Sequence, residues 1–162
     1  MNHTDINLTI TEKDFNIILD NIKSNSETYL CFKIMYNCGL QVGELLALTI
    51  DDIDISKQEI KITKSLTVIN NIETITSPKF KSSNRIVHIP TLLCTEINEY
   101  LKNKNIVSPG ERLFKIKQYR LRNDLTVICL MNKLPNYKLS SITKAYKNYE
   151  KKKGGSSLFK IR

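Results

Sequence analysis

Basic side chains stand in two groups whose positions suit contact with phosphate. The first group lies in a polar loop ahead of a predicted strand, and the second recurs along one face of a predicted helix. Their members are Lys79, Lys81 and Arg85, and then Lys144, Lys147 and Lys151. A lysine ammonium can balance phosphate charge and can also deliver a proton. From the residues alone, these groups either contact phosphates or lie in water.

The charge distribution favours a polyanionic partner. Residues 1–114 carry 12 Lys/Arg and 14 Asp/Glu, whereas residues 115–162 carry 13 Lys/Arg and 2 Asp/Glu. The first part is therefore −2 and the second +11. A solvated surface usually mixes both signs, so this asymmetry predicts a nucleic-acid-binding surface in the last third. The alternative is a poorly ordered basic tail.

The cysteines and histidines argue against a metal site. Cys31, Cys38, Cys94 and Cys129 form no Cys-x-x-Cys pair, and the two histidines do not complete a zinc site at these spacings. We therefore predict no metal, no cofactor and reduced, mostly buried thiols in a cytoplasmic protein. The longest strongly apolar stretch, Leu125 to Met131, is too short to span a membrane.

Hydrophobic periodicity predicts an α+β fold, mostly helical with a small three-stranded antiparallel sheet. After a lead-in over residues 1–10, a helix opens at Thr11 and is followed by further helices near 26–38, from Val42, and over 91–102, 118–129 and about 141–151. Strands are predicted at 59–64 and 85–89, with a hairpin at 65–76 turning at Asn70-Asn71. Gly39 suits a left-handed helix end.

Two segments carry a family resemblance. Residues 37–48 read Asn-Cys-Gly-Leu-Gln-Val-Gly-Glu-Leu-Leu-Ala-Leu, and residues 77–85 read Ser-Pro-Lys-Phe-Lys-Ser-Ser-Asn-Arg. The first resembles the box Thr-Gly-Leu-Arg-x-Gly-Glu-Leu of tyrosine recombinases, the phage and transposon integrases. The second resembles their pattern Pro-Lys-Thr-x-x-Ser-x-Arg. The resemblance covers about residues 9–162 and implies that residues 11–162 are the N-terminal part of an integrase-like catalytic domain.

The resemblance implies site residues. Lys79 corresponds to the lysine that enters the DNA minor groove as general acid, while Lys81 and Arg85 are expected to be positioning contacts to DNA. Gln41 stands where the family has its phosphate-binding arginine, and the loss of one preorganised charged donor costs on the order of 10²–10³ in rate. Glu44 would support that arginine; with Gln41 present, a role as a helix-capping or surface carboxylate is the alternative.

The second family box, His-x-x-Arg, is not found in these residues. His3 is followed at the required spacing by Ile6, and His88 by Thr91. We expect a domain cut just before this box by a stop codon, a frameshift or a cloning boundary. None of the seven tyrosines is expected to be the nucleophile.

These observations predict an integrase-family protein linked to site-specific recombination and integration of a mobile element. It binds double-stranded DNA through the hairpin loop and the Lys144, Lys147 and Lys151 helix, and is inactive as this chain. One alternative is part of an active recombinase whose remaining residues are supplied separately. Another is a non-catalytic module that inhibits a full-length recombinase by pairing with it.

Overall fold

The chain folds into helices with a small sheet. The computed structural model describes residues 8–24, 26–77, 83–152 and 159–160, with side chains described through residue 148. The helices are α1 (Glu12–Asp20), α2 (Glu27–Cys38), α3 (Val42–Ala47), α4 (Thr91–Lys104), α5 (Gln118–Met131) and α6 (Leu139–Lys152). The strands are β1 (Ile53–Asp54), β2 (Glu59–Ile62), β3 (Ser65–Ile69), β4 (Ile72–Thr76), β5 (Arg85–His88) and β6 (Phe159–Lys160). The predicted α+β class is confirmed. Within these ranges, no helix is both long and apolar enough to cross a lipid bilayer.

The first helix boundaries follow from local side-chain chemistry. The Thr11 hydroxyl accepts a hydrogen bond from the Asp14 N–H at 3.1 Å, and the Ser26 hydroxyl accepts one from the Tyr29 N–H at 3.2 Å. Both satisfy backbone donors that the first turn of a helix leaves open. Gly39 ends α2 with φ +68°, and its N–H donates to the Met35 carbonyl. All three boundaries confirm the sequence predictions.

The sheet differs in detail from the predicted three-stranded arrangement. Its order is β1-β2-β5-β6, with antiparallel neighbours, whereas β3 and β4 form a separate two-stranded hairpin. The additional strand β1 is not among the predicted strands, and it joins the sheet through the pairing of Ile53 with Ile60. The hairpin turns where predicted, with φ +50° at Asn70 and +64° at Asn71.

The core is organised around α2. This helix packs against α3, α4 and α6. Its buried members are Thr28, Leu30, Cys31, Phe32, Ile34, Met35 and Cys38. Burial of each large apolar side chain contributes about 1.5–3 kcal/mol. The helix that leads into the Gly39 turn is therefore firmly anchored.

All four cysteines are free thiols in the interior. Burial raises the pKa of Cys38 to about 12. It also raises the pKa of Cys31, Cys94 and Cys129 above the usual value. Because the thiolate is the reactive form, these side chains are chemically quiet in the folded protein.

Candidate nucleic-acid interface around Gln41

Gln41 lies in the turn between α2 and α3, and its side chain is exposed. Its N–H donates to Glu44 Oε2 at 2.9 Å, and its carbonyl accepts from the Leu45 N–H at 2.9 Å. The backbone of Gln41 is thus held at both ends while its amide faces solvent. That amide can donate hydrogen bonds to a phosphate but brings no charge.

Glu44 is buried and makes an ion pair with the half-buried Arg85. Arg85 Nη1 lies 2.8 Å from Glu44 Oε1, and Nη2 lies 2.8 Å from Oε2. Nη1 also donates to the Ser83 carbonyl at 3.3 Å, and Nη2 to the Gly39 carbonyl at 3.5 Å. Glu44 does act as a helix-capping carboxylate towards Gln41. Its carboxylate is buried, so the surface position that the same alternative allowed does not hold, and the Arg85 guanidinium compensates the buried charge.

The close approach of α3 to the hairpin depends on Gly43. A Cβ at this position would meet Ser65 Oγ at 2.6 Å and the Leu66 carbonyl oxygen at 2.8 Å. The glycine of the Gly-Glu-Leu motif therefore lets the helix lie directly against β3. This contact fixes the hairpin beside the helix that Gln41 opens.

Helix α6 packs onto the turn that carries Gln41. The Thr143 hydroxyl donates to the Leu40 carbonyl at 2.8 Å. The Tyr146 ring lies against Gly39, where a Cβ would come within 2.9 Å of the ring atoms Cγ and Cε1. Neither contact has a local sequence signal, and both were missed from the sequence.

The predicted basic residues of α6 differ in their surroundings. Lys147 is exposed and lies four residues after Thr143, so it shares the side of α6 that meets the Gly39–Gln41 turn. Lys144 is half-buried and makes a contact of its own. Lys151 belongs to α6, but its side chain is beyond those described.

The two lysines of the predicted DNA-contacting loop, Lys79 and Lys81, lie outside the described residues. The residues on either side are described, with Thr76 ending β4 and Arg85 beginning β5. The roles of Lys79 as general acid and of Lys81 as a phosphate contact stay predictions.

Part of the positive charge of the last third is neutralised within the protein. Lys115 pairs with Glu111 at 3.0 Å, Lys117 with Glu73 at 2.9 Å, and Arg120 with Asp124 at 3.1 Å. Hydrogen bonds from Lys117 and then Arg112 hold the pKa of the Glu73 carboxyl below its usual range. Residues 118–131 and 139–152 are helical, so the alternative of a poorly ordered tail is wrong for those two ranges.

A protein-family model matches most of the sequence. Residues 9–157 match the model of the phage integrase family. No curated protein matches the sequence closely enough for comparison.

Several solved structures share the fold. The Tn1549 transposon integrase in complex with transposon right end DNA matches with a TM-score of 0.76 at 19% identity, over 94% of this chain and 56% of that chain. XerA recombinase matches with a TM-score of 0.70 at 13% identity, over 96% and 53% of the two chains. XerH site-specific recombinase bound to its difH substrate matches with a TM-score of 0.63 at 16% identity, over 91% and 44%.

This chain therefore spans about half the length of these structures. Because the identities are low, the likeness shows the fold alone. The family match covers nearly the whole sequence and agrees with the predicted resemblance. The chain accordingly belongs to the phage integrase family.

Proposed function

We propose that this chain binds double-stranded DNA through its phosphates, as part of the catalytic domain of a site-specific recombinase. The observation that carries the proposal is the packing of α6 against the Gln41 turn, since it puts an exposed lysine beside the segment where the family binds phosphate. Thr143 and Tyr146 make that contact, and Lys147 follows on the same side of the helix.

The electrostatics support a phosphate-based interaction. Gln41 is exposed and can donate from its amide, and Lys147, on the side of α6 that meets the turn, adds a full positive charge. In protein–DNA complexes such contacts fix position on the duplex without reading sequence. We also predict phosphate contacts from Lys79, Lys81, Lys144 and Lys151.

Solved relatives support DNA as the polyanion. The Tn1549 integrase structure is a complex with transposon DNA, and the XerH structure is a complex with its difH substrate. We transfer DNA binding to this chain as a proposal, together with a link to recombination and integration of a mobile element. We also propose a cytoplasmic location, where DNA and reducing conditions for its thiols occur together.

We further propose that these 162 residues do not cleave DNA. The arginine of the family delivers a permanent charge and two parallel donors to a phosphate, whereas Gln41 delivers a neutral amide. A single lost donor of this kind costs on the order of 10²–10³ in rate. Covalent attachment of the purified chain to a nicked duplex would contradict the proposal.

The direct test is a binding titration with a fluorescently labelled random-sequence duplex at several salt concentrations. The logarithm of the binding constant should fall linearly with the logarithm of salt concentration. Lys147→Gln should reduce the slope by about 0.9, the value for one lost phosphate contact on duplex DNA.

Lys102→Gln is the matched control, because Lys102 is an exposed lysine on α4, away from the proposed surface. It removes the same charge and should leave the slope unchanged. A binding constant independent of salt, or equal effects of the two substitutions, would overturn the proposed surface.

A further inference from the structure

Arg85 lies at a junction of three chain segments. Arg85 is the first residue of β5. Its guanidinium donates hydrogen bonds to the Glu44 carboxylate on α3 and to the Gly39 carbonyl at the end of α2. Its backbone is fixed as well, since Arg85 is the register partner of Ile62 in β2. The side chain therefore has both a rigid base and a rigid target.

The contact extends to the candidate site through Glu44. Glu44 Oε2 accepts one hydrogen bond from Arg85 Nη2 and another from the Gln41 N–H. Arg85, Glu44 and the Gln41 backbone therefore form one continuous chain of charge-assisted hydrogen bonds. The geometry of the residue at the family's arginine position depends on a residue 44 positions away in sequence.

The same contacts leave Arg85 poorly suited to bind DNA. Its side chain is 21% exposed and that of Glu44 is 8% exposed. A phosphate that drew the guanidinium away would leave a buried carboxylate without its counter-charge, which is strongly unfavourable. Each of its terminal nitrogens already donates inside the protein.

We propose that Arg85 is a positioning residue that acts through Glu44 to hold Gln41 in place, and that it makes no phosphate contact. The absence of a phosphate contact rests on the proposed DNA binding, whereas the positioning role does not. This reverses the sequence-based expectation that Arg85 touches DNA.

Hydrogen exchange at the Gln41 amide tests the positioning role without DNA. Arg85→Lys keeps the positive charge but replaces the two-pronged contact with a single ammonium. Exchange at Gln41 should become about tenfold faster, on the scale of one weakened charge-assisted hydrogen bond. The reference is the Leu113 N–H, which donates to the Leu48 carbonyl at 2.9 Å and should be unaffected.

Two results of this measurement would overturn the proposal. Unchanged exchange at Gln41 would mean that Arg85 does not hold it. Equal acceleration at Gln41 and Leu113 would mean that the substitution only destabilises the whole fold.

The salt dependence of duplex binding tests the absence of a phosphate contact. Arg85→Gln should leave the slope unchanged, whereas Lys147→Gln should lower it by about 0.9. A fall of about 0.9 for Arg85→Gln would show a phosphate contact and overturn the proposal.

If Arg85→Gln does not fold, the unmodified protein answers the same question. Its Arg85 guanidinium resonances should keep their positions when duplex is added, and a shift as large as that of the Lys147 ammonium would overturn the proposal. If the unmodified protein does not bind duplex DNA, the proposed function is wrong. The exchange experiment would still decide the positioning role.

Discussion

Tyr146 of α6 lies directly against Gly39, the residue that ends α2. A methyl group at Gly39 would overlap the ring, lying 2.9 Å from its Cγ and Cε1 atoms. Gly39 is also in the left-handed region, with φ +68°. Two independent requirements for glycine thus coincide in the turn that leads to Gln41.

Gly39→Ala should lower the free energy of unfolding by about 2–4 kcal/mol. About 1–2 kcal/mol comes from the left-handed backbone, and the remainder from overlap with Tyr146. Urea denaturation measures the change. Gly110→Ala is the control, because Gly110 has φ +76° but no atom within 4 Å of its Cβ position. Equal losses at the two glycines would mean that Tyr146 moves aside freely.

Gly43→Ala should destabilise the contact between α3 and β3 by about 1–3 kcal/mol, as overpacking typically does. Its Cβ would meet both Ser65 Oγ and the Leu66 carbonyl. Adding Ser65→Ala should recover only part of the loss, since the clash with the backbone carbonyl remains. Urea denaturation of the single and double variants checks this, and full recovery would contradict the described packing.

Tyr137 predicts an alkaline loss of stability. Its hydroxyl donates to Asp14 Oδ2 at 2.6 Å, and burial, followed by this bond, raises the pKa of Tyr137 to about 12. An unfolded tyrosine has a pKa of about 10, so the protonated form stabilises the fold fully below pH ~10 and this contribution is lost as pH rises through ~12.

The stability difference between the parent and Tyr137→Phe should therefore shrink by roughly 1 kcal/mol between about pH 8 and about pH 11. Urea denaturation at the two pH values measures this difference. Phenylalanine does not titrate, and both proteins share every other ionising group, so the difference reports the Tyr137 hydroxyl alone. A difference that stays constant with pH would contradict the raised pKa.

Gln41→Arg should strengthen duplex binding and steepen its salt dependence by about 0.9, because the exposed side chain would add one phosphate contact. Gln41→Glu should weaken binding at low salt by repulsion. Fluorescence anisotropy titrations of both variants measure the effect. If neither substitution changes binding, position 41 does not face DNA in this protein.

Local chemistry made much of the fold predictable. Thr11 and Ser26 satisfy donors within three residues. Gly39 and Asn70-Asn71 adopt positive φ angles, which glycine and asparagine tolerate better than other residues. Such interactions are decided within one turn of chain. The six helices therefore begin or end close to the predicted positions.

The long-range partners of the site could not be found in this way. The family pattern marked Gln41 and Glu44, but Glu44 and Arg85 are separated by 41 residues, and the sequence holds 25 Lys/Arg that could have taken the same carboxylate. Thr143 likewise reaches Leu40 across 103 residues. Only the packing of α2, α3 and α6 selects these pairs. Strand β6, with two residues, is too short for any periodicity to show.

The four interior thiols can report local unfolding of the chain. An alkylating reagent can modify each sulfur only when the surrounding helices part, so mass increments over time would count those events without any engineered label. Cys38 adjoins the Gly39 turn and Cys129 lies in α5. Comparing their modification rates would tell whether the segment next to Gln41 opens separately from the rest.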